Sequence, residues 1–577
     1  MTSVLADPSS PITVFLADPP PPVENTWAAP AIAIPLAVAI GILLFVILKK
    51  TRGSVRTTSD FLIAGRKITV PQNTLAFATA PIMYSTMVII TGHIALNGFD
   101  AVLLLTAFTM SMVVSLLIYA GPLRNVGGHT LGDLFALRAD ERTARTASAV
   151  VVLLTYVMFL IVTMAALAFV IYRLFGLESL PAVAAVTIVV GLIIVLYVFM
   201  GGMLGVTRML MVKAVLVIAI VAVLTVFALA KYNLNVFSLL EDAQANAKPD
   251  KRGYDLLGPG RLFAEGSTRS APPEADPWVH LSKVFSIVVG TAGIPFLFMR
   301  NYAVRSGRDA RTSVGWASML VVGFYACMSL LGLGAVAILG GKEIGVIAAH
   351  RDTTLPKLAD ELGGPAMVGA LGAVSLLVVA AVLAALLINV VTSISKDLNV
   401  VRGRKLDPDA ELKAIRRNVA IIGIVSVVAG VAMLPVLTHV FIPTAIDLGG
   451  AAVLPAVVYS LYWRRFNTAG LKWAVYGGIA VTMFLVVFSN GVSGDEAAIF
   501  ADADFKFVDF EPGLVSIPVA FLLGYIGTIT SSERNDAAFA EMQVRALTGA
   551  VIPARKEAPV DGADQIDREI PVPSEAR

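Results

Sequence analysis

Residues 71–93 read PQNTLAFATAPIMYSTMVIITGH, and the organisation of the chain turns on them. The stretch is long enough to cross a bilayer, which takes about twenty apolar residues in helical form. It holds no charge before His93, yet Thr79-Ala80-Pro81 interrupts it near its middle. A proline inside a helix deletes one backbone hydrogen bond and crowds the preceding turn. In hydrocarbon the freed groups need partners, so broken backbone survives only where it is buried in protein or faces a wet cavity. The plainer alternative is a proline that merely kinks a packing helix. A second interruption, Gly290-Thr291-Ala292-Gly293-Ile294-Pro295, follows further along the chain. Paired interruptions at matching places in two halves point to the binding site of a secondary transporter.

Composition sets the class. The 577 residues are 57% hydrophobic and 15% charged, with mean hydropathy +0.80. That is an all-α polytopic membrane protein and not a soluble one. The single cysteine, Cys327, excludes an intrachain disulfide and a thiolate metal site. Residues 1–28 are rich in Pro, Ala and acidic groups and lack the basic start and cleavage site of a signal peptide. They are expected to remain as a disordered extracellular tail.

Hydropathy suggests about thirteen spans at roughly twenty residues each. They lie near 29–48, 72–93, 100–120, 148–175, 181–200, 206–230, 283–303, 314–340, 366–394, 417–437, 442–463, 470–490 and 513–531. A polar connection occupies 231–282, and a charged tail, 532–577, closes the chain. Basic residues gather on alternate connections: Lys49, Lys50, Arg52 and Arg56; Arg124, Arg138, Arg142 and Arg145; Arg300, Arg305, Arg308 and Arg311; Lys396, Arg402, Arg404 and Lys405; Arg464 and Arg465. The positive-inside rule then places the amino terminus outside the plasma membrane and the carboxyl terminus in the cytoplasm. The two interrupted spans run in opposite directions, so residues 72–230 and 283–463 are expected to form an inverted repeat within a 29–531 transporter domain. That repeat rests on topology and break positions, with no residue-level similarity between the halves.

Several runs are familiar: SDFLIAGR (59–66), ITVPQNTLAFA (68–78), LRNVGGHTLGDLFALR (123–138), GGMLGVTRMLMVKAVL (201–216), GTAGIPFLFMRNYAVRSGRDARTSV (290–314), ISKDL (394–398), LPAVVYSLYWRRFN (454–467) and EMQVRALTG (541–549). Together they resemble the sodium:solute symporter family, most of all its acetate and short-chain monocarboxylate branch. The resemblance implies a leucine-transporter-type fold of five plus five helices, with solute and cation held at the two breaks. It implies a cation bound by carbonyls at Thr79 and Ile82 and by the eighth core span, at Val378, Ala381 and Val382.

The departures from the family pattern are specific. Acetate-type members carry an Asp in the first break, where this chain has Thr79-Ala80-Pro81-Ile82-Met83. The His after the second-break Pro is Phe296, and the His of the His-Asp pair on the eighth core span is Lys396, beside Asp397. A Gln after Gly-Gly-Met is Leu210, and the hydroxyl pair that holds sodium in sugar and proline members falls on Ala381-Val382.

A carboxylate buried alone costs on the order of tens of kcal/mol by Born estimates. The half-helix after Pro81 offers unsatisfied N–H groups and roughly half a positive charge at its start. Backbone donors of Ile82 to Ser85, with the side chains of Thr79, Tyr84, Ser85 and Thr86, are candidates to cradle a solute carboxylate. Thr291, Gly293 and Phe296 would close the other side. Three charged residues are candidate gates. Asp447 either lines an outer vestibule with His93 as partner or is an acid solvated at its helix edge. Arg300 either braces against Asp397 or anchors its span. Lys213 is taken as an anchor.

The expected activity is cation-coupled uptake of acetate, propionate or pyruvate, with Na+ or H+ as coupling ion and no cofactor. Proton-coupled or sodium-independent carriage of another small solute stays open, as does a non-transporting sensor or partner subunit. Homo-oligomerisation also stays open. No nucleophile–base pair, metal cluster or nucleotide loop stands out, so neither an enzyme nor a nucleic-acid partner is expected.

Overall fold

The computed structural model describes residues 29–177, 179–247, 255–260, 262–263, 276–340, 351–401, 403, 407–432, 438–494, 498–500 and 503–550. The expected tail at 1–28 and the stretch 551–577 lie outside the described residues. Every named element is a helix, with three isolated β-bridges besides among the described residues. Ten described helices are long and apolar enough to cross a membrane, and two shorter apolar ones are Ser85–Asn97 and Gly513–Ile529.

Burial sorts these helices into inner and outer ones. The apolar window of Thr354–Asn399 is 89% buried, whereas that of Pro30–Arg52 is 22% buried. A helix apolar all round belongs either inside a bundle or against lipid. The first serves as a central post. The second turns Ile42 and Phe45 outward, which fits lipid contact.

The first interrupted span is built from its sequence turn by turn. Thr69 and Gln72 form a capping box ahead of Val70–Ala78, whose first turn accommodates Pro71. The helix stops at Ala78, and Pro81 prevents its continuation. Thr86 reaches back into the gap, accepting from the Met83 N–H at 2.8 Å and donating to the Pro81 carbonyl at 2.7 Å. A π-helical turn, Ser85–Ile89, then leads into Ile90–Asn97.

The second interrupted span mirrors this logic. Asp276 caps Pro277–Phe285, a π-helical turn follows at Ser286–Gly290, and Pro295 opens Pro295–Tyr302. Its glycines are there for close approach. A Cβ on Gly293 would lie 2.1 Å from the Gly449 carbonyl oxygen, and one on Gly450 2.7 Å from the Gly290 Cα. Two backbones therefore touch where the second break crosses the π-helical turn Gly449–Val453.

The spans expected at 181–200 and 206–230 are two helices within Leu180–Ala230, separated by non-helical backbone at Gly202. Gly202 has φ +51°, and a Cβ there would lie 2.8 Å from the Phe61 carbonyl oxygen. Both facts demand glycine. Tyr197 spans the kink by donating to the Gly205 carbonyl at 3.0 Å.

Part of the charged tail is ordered against the bundle. Asp536–Thr548 is a helix, and the Asn125 amide donates to the Ala546 carbonyl at 2.9 Å. Arg138 holds this end together. It is fully buried, its Nη2 donates to the carbonyls of Trp463, Arg464 and Phe466, and its Nη1 donates to that of Asn535. Its guanidinium lies 4.8 Å from the Phe539 ring centroid. Each buried polar group left without a partner costs about 1–3 kcal/mol. Arg138→Ala is therefore expected to lower the melting temperature in detergent by several degrees and to expose residues 536–548 to protease. Limited proteolysis followed by intact-mass measurement checks this.

Candidate functional site

Between the two breaks lies a cavity of about 40 Å³. A water-sized group needs about 10–15 Å³ on that measure, so the space suits a solute of few heavy atoms. The first break contributes Ala80, Pro81, Met83, Ser85 and Thr86, and the second contributes Thr291, Ile294, Phe296 and Leu297. Phe108, Ser111, Met112, Phe159, Ile442 and Ile446 complete the wall. Hydroxyls at Ser85, Thr86, Ser111 and Thr291 are set in an otherwise apolar surface. Thr86 and Ser111 spend their hydroxyls on nearby carbonyls. The buried Thr291 Oγ1 has no hydrogen-bond partner among the described residues.

Four expected solute contacts, Ser85, Thr86, Thr291 and Phe296, thus meet at one cavity. Thr79, Tyr84 and Gly293 are not among the lining residues. The Thr79 hydroxyl turns back to the Ala76 carbonyl at 2.9 Å. Tyr84 packs edge-on against Phe169 with ring centroids 6.0 Å apart. Gly293 is spent on its contact with Gly449. The backbone donors are also partly taken, because the Ile82 N–H bonds the Thr79 carbonyl and the Met83 N–H bonds Thr86.

The carbonyls freed by the breaks have side-chain donors from elsewhere in the bundle. Lys213 is fully buried, and its Nζ donates to the Thr79 carbonyl at 3.0 Å and to the Ile82 carbonyl at 2.6 Å. The Tyr325 hydroxyl donates to the Pro81 carbonyl at 3.3 Å. At the second break the Tyr119 hydroxyl donates to the Ala292 carbonyl at 2.8 Å, and its ring stacks on Phe298. Tyr325 belongs to the helix after the second break, and Tyr119 caps the helix after the first. Each half thus supplies the tyrosine that satisfies the other half's break.

Lys213 overturns its reading as an anchor. It lies 11 positions beyond the kink at Gly202, deep in its span. The sequence carried the signal, since an ionisable residue within a membrane helix is a functional candidate by default. The eighth-core-span positions behave as their side chains require. Val378 and Ala381 are fully buried and Val382 is half-buried, and none has a side-chain oxygen.

The gate residues are placed differently from expectation. Asp447 is fully buried and accepts from the Gly513 N–H at 3.0 Å. It is neither solvated at a helix edge nor part of the cavity wall, and His93 bonds Asn97. The depth was misjudged because Gly513–Ile529 packs over that end of its helix. Arg300 donates to the Thr207 hydroxyl at 3.0 Å and not to Asp397. Asp397 instead accepts from Thr130, Ser148 and Ser393, with Arg145 at 3.3 Å. Lys396 pairs with Glu411 at 2.6 Å. Near that cluster, burial holds the His129 imidazole below its ordinary value, with Asp133 opposing.

Two helices broken at mid-span around one shared cavity define a secondary transporter of the leucine-transporter type. The solved structure of a Na+-coupled sialic acid symporter, substrate-bound and outward-open, aligns with a TM-score of 0.67 at 12% identity, covering 87% of this chain and 98% of that one. The family model described as "Sodium:solute symporter family" matches residues 61–480, and the chain belongs to that family. It is 33% identical over 531 residues to a monocarboxylic acid transporter of Corynebacterium glutamicum, spanning 90% of this chain and 95% of the relative. It is 29% identical over 498 residues to the uncharacterized symporter YwcA of Bacillus subtilis, spanning 86% and 94%. The chain is thus a multi-pass membrane transporter of a small solute, and not an enzyme.

The glycine contact yields a direct check. Overpacking a tight contact costs about 1–3 kcal/mol. Gly293→Ala is expected to lower the melting temperature and to abolish solute protection against heating, whereas Gly315→Ala, with open space around its Cβ, leaves both unchanged. A thermal-shift titration reads both.

Proposed function

We propose that this chain imports a short-chain monocarboxylate such as acetate, propionate or pyruvate by alternating access, drawing on a cation gradient. The observation that carries this reading is the small cavity at the breaks, with four hydroxyls in apolar walls. A two- or three-carbon acid matches it in size. The carboxylate would face Ser85 and Thr291, and the alkyl end would face Phe108, Met112 and Phe159. The half-helix beginning after Pro81 would favour the negative charge. The relative named as a monocarboxylic acid transporter, aligned over 95% of its length, supports the solute class.

In this reading residues 72–230 and 283–463 are the two repeats that rock about the breaks, with the amino terminus outside the plasma membrane. One cation moving with one anion is electroneutral, so the drive is the cation's concentration ratio, worth about 1.4 kcal/mol per tenfold.

Counterflow in proteoliposomes tests the proposal. Labelled pyruvate is expected to exchange into vesicles preloaded with pyruvate, acetate or propionate, and not into vesicles preloaded with glucose or proline. Thr291→Val removes one hydrogen bond to a charged solute and is expected to weaken apparent affinity about tenfold or more, from about 1.5–3 kcal/mol. Exchange with proline or glucose in place of the acids would replace the solute class.

A further inference from the structure

The family implies a sodium ion at the first break, and the residues present do not fit one. The oxygens expected to bind it are the carbonyls of Thr79 and Ile82. Both already accept from the ammonium of Lys213, at 3.0 and 2.6 Å. The Pro81 carbonyl between them accepts from Thr86 and Tyr325. The side chains expected from the eighth core span are hydrocarbon at Val378, Ala381 and Val382. A hard cation seeks oxygen ligands in number. Here it would meet filled carbonyls, bare methyl groups and a like charge within hydrogen-bonding distance of the same oxygens.

We propose that Lys213 is a tethered replacement for that sodium ion, so that the first break carries its cation covalently and uptake is not sodium-coupled. Three observations support it together. The ammonium is fully buried, and its hydrogen-bond partners are the two carbonyls of the break. No carboxylate pairs with it among the described residues, so its charge is not cancelled locally. Ala80 and Pro81, the residues between the two carbonyls, line the cavity. In its protonated form the Lys213 side chain places a positive charge behind the wall that a solute would touch, where an anion gains from it.

The exchange of ion for side chain also changes the mechanics. A free ion between the first and eighth core spans can leave, and its departure loosens the two halves. Lys213 instead ties the break to the second helix within Leu180–Ala230, in its own half, and this tie persists through the cycle.

The proposal rests on the carboxylate reading only for the choice of labelled solute. Its test has one readout that needs no solute. The purified full-length chain is melted in detergent in sodium chloride and in choline chloride. A ligand that binds the folded state raises stability, so equal melting temperatures are expected, and a saturable rise with Na+ overturns the proposal. In proteoliposomes an inward Na+ gradient is expected to drive no pyruvate accumulation, and accumulation overturns it. Lys213→Met, which keeps the length and removes the charge, is expected to cut counterflow more than about tenfold, while Lys213→Arg keeps more of it. Wild-type counterflow in Lys213→Met overturns the proposal. Should Lys213→Met fail to fold, the wild-type melting comparison still decides. Absence of any monocarboxylate counterflow in the wild type would instead reject the solute class and leave the melting result standing.

Discussion

Backbone polar groups cannot be left bare in hydrocarbon, and the architecture around the two breaks answers that requirement. Unwinding a helix at mid-membrane frees carbonyls and N–H groups that cost several kcal/mol each unless they find partners. This chain finds the partners in its own side chains. Lys213 and Tyr325 serve the carbonyls of the first break, Tyr119 serves the second, and Thr86 closes the turn after Pro81. The unwound segments are thereby held open as rigid features, with a small space left between them.

The cross-bracing by tyrosines has a mechanical side. Tyr325 follows the second break and holds the first, while Tyr119 does the converse. A relative rotation of the halves would strain both bonds together. Glycines do the complementary work by letting backbones touch, as where Gly290 and Gly293 meet Gly449 and Gly450. Polar ties and close backbone contacts thus converge on the same few residues, and the cavity is what remains between them.

Much of this was legible in local sequence. Pro81, the Gly290–Pro295 run and the Gly-Gly pair at 201–202 each mark a place where a regular helix cannot continue, and the structure is irregular at all three. Ser85, Thr86, Thr291 and Phe296 followed from adjacency to the breaks. What was not legible depended on pairing across the fold. Tyr325 and Tyr119 lie 244 and 173 residues from their acceptors, a separation that no periodicity reports. Arg138 looks like any loop arginine until the chain's far end folds over it. Asp447 was misplaced because distance along a helix says nothing of what packs beside it. Lys213 was visible and misread, since the positive-inside pattern offered a ready explanation for a lysine in a membrane protein.

The central claim is that both breaks face one solute pocket, and cysteine protection addresses it most directly. In a Cys327→Ser background, Ser85→Cys and Thr291→Cys would be reacted with a small membrane-permeant thiol reagent, with and without saturating pyruvate, with Tyr84→Cys as the control off the cavity wall. Slowed labelling at both cavity positions and unchanged labelling at the control is the predicted result. Solute-independent labelling at 85 and 291, or protection at only one of them, would contradict a pocket shared by the two broken helices.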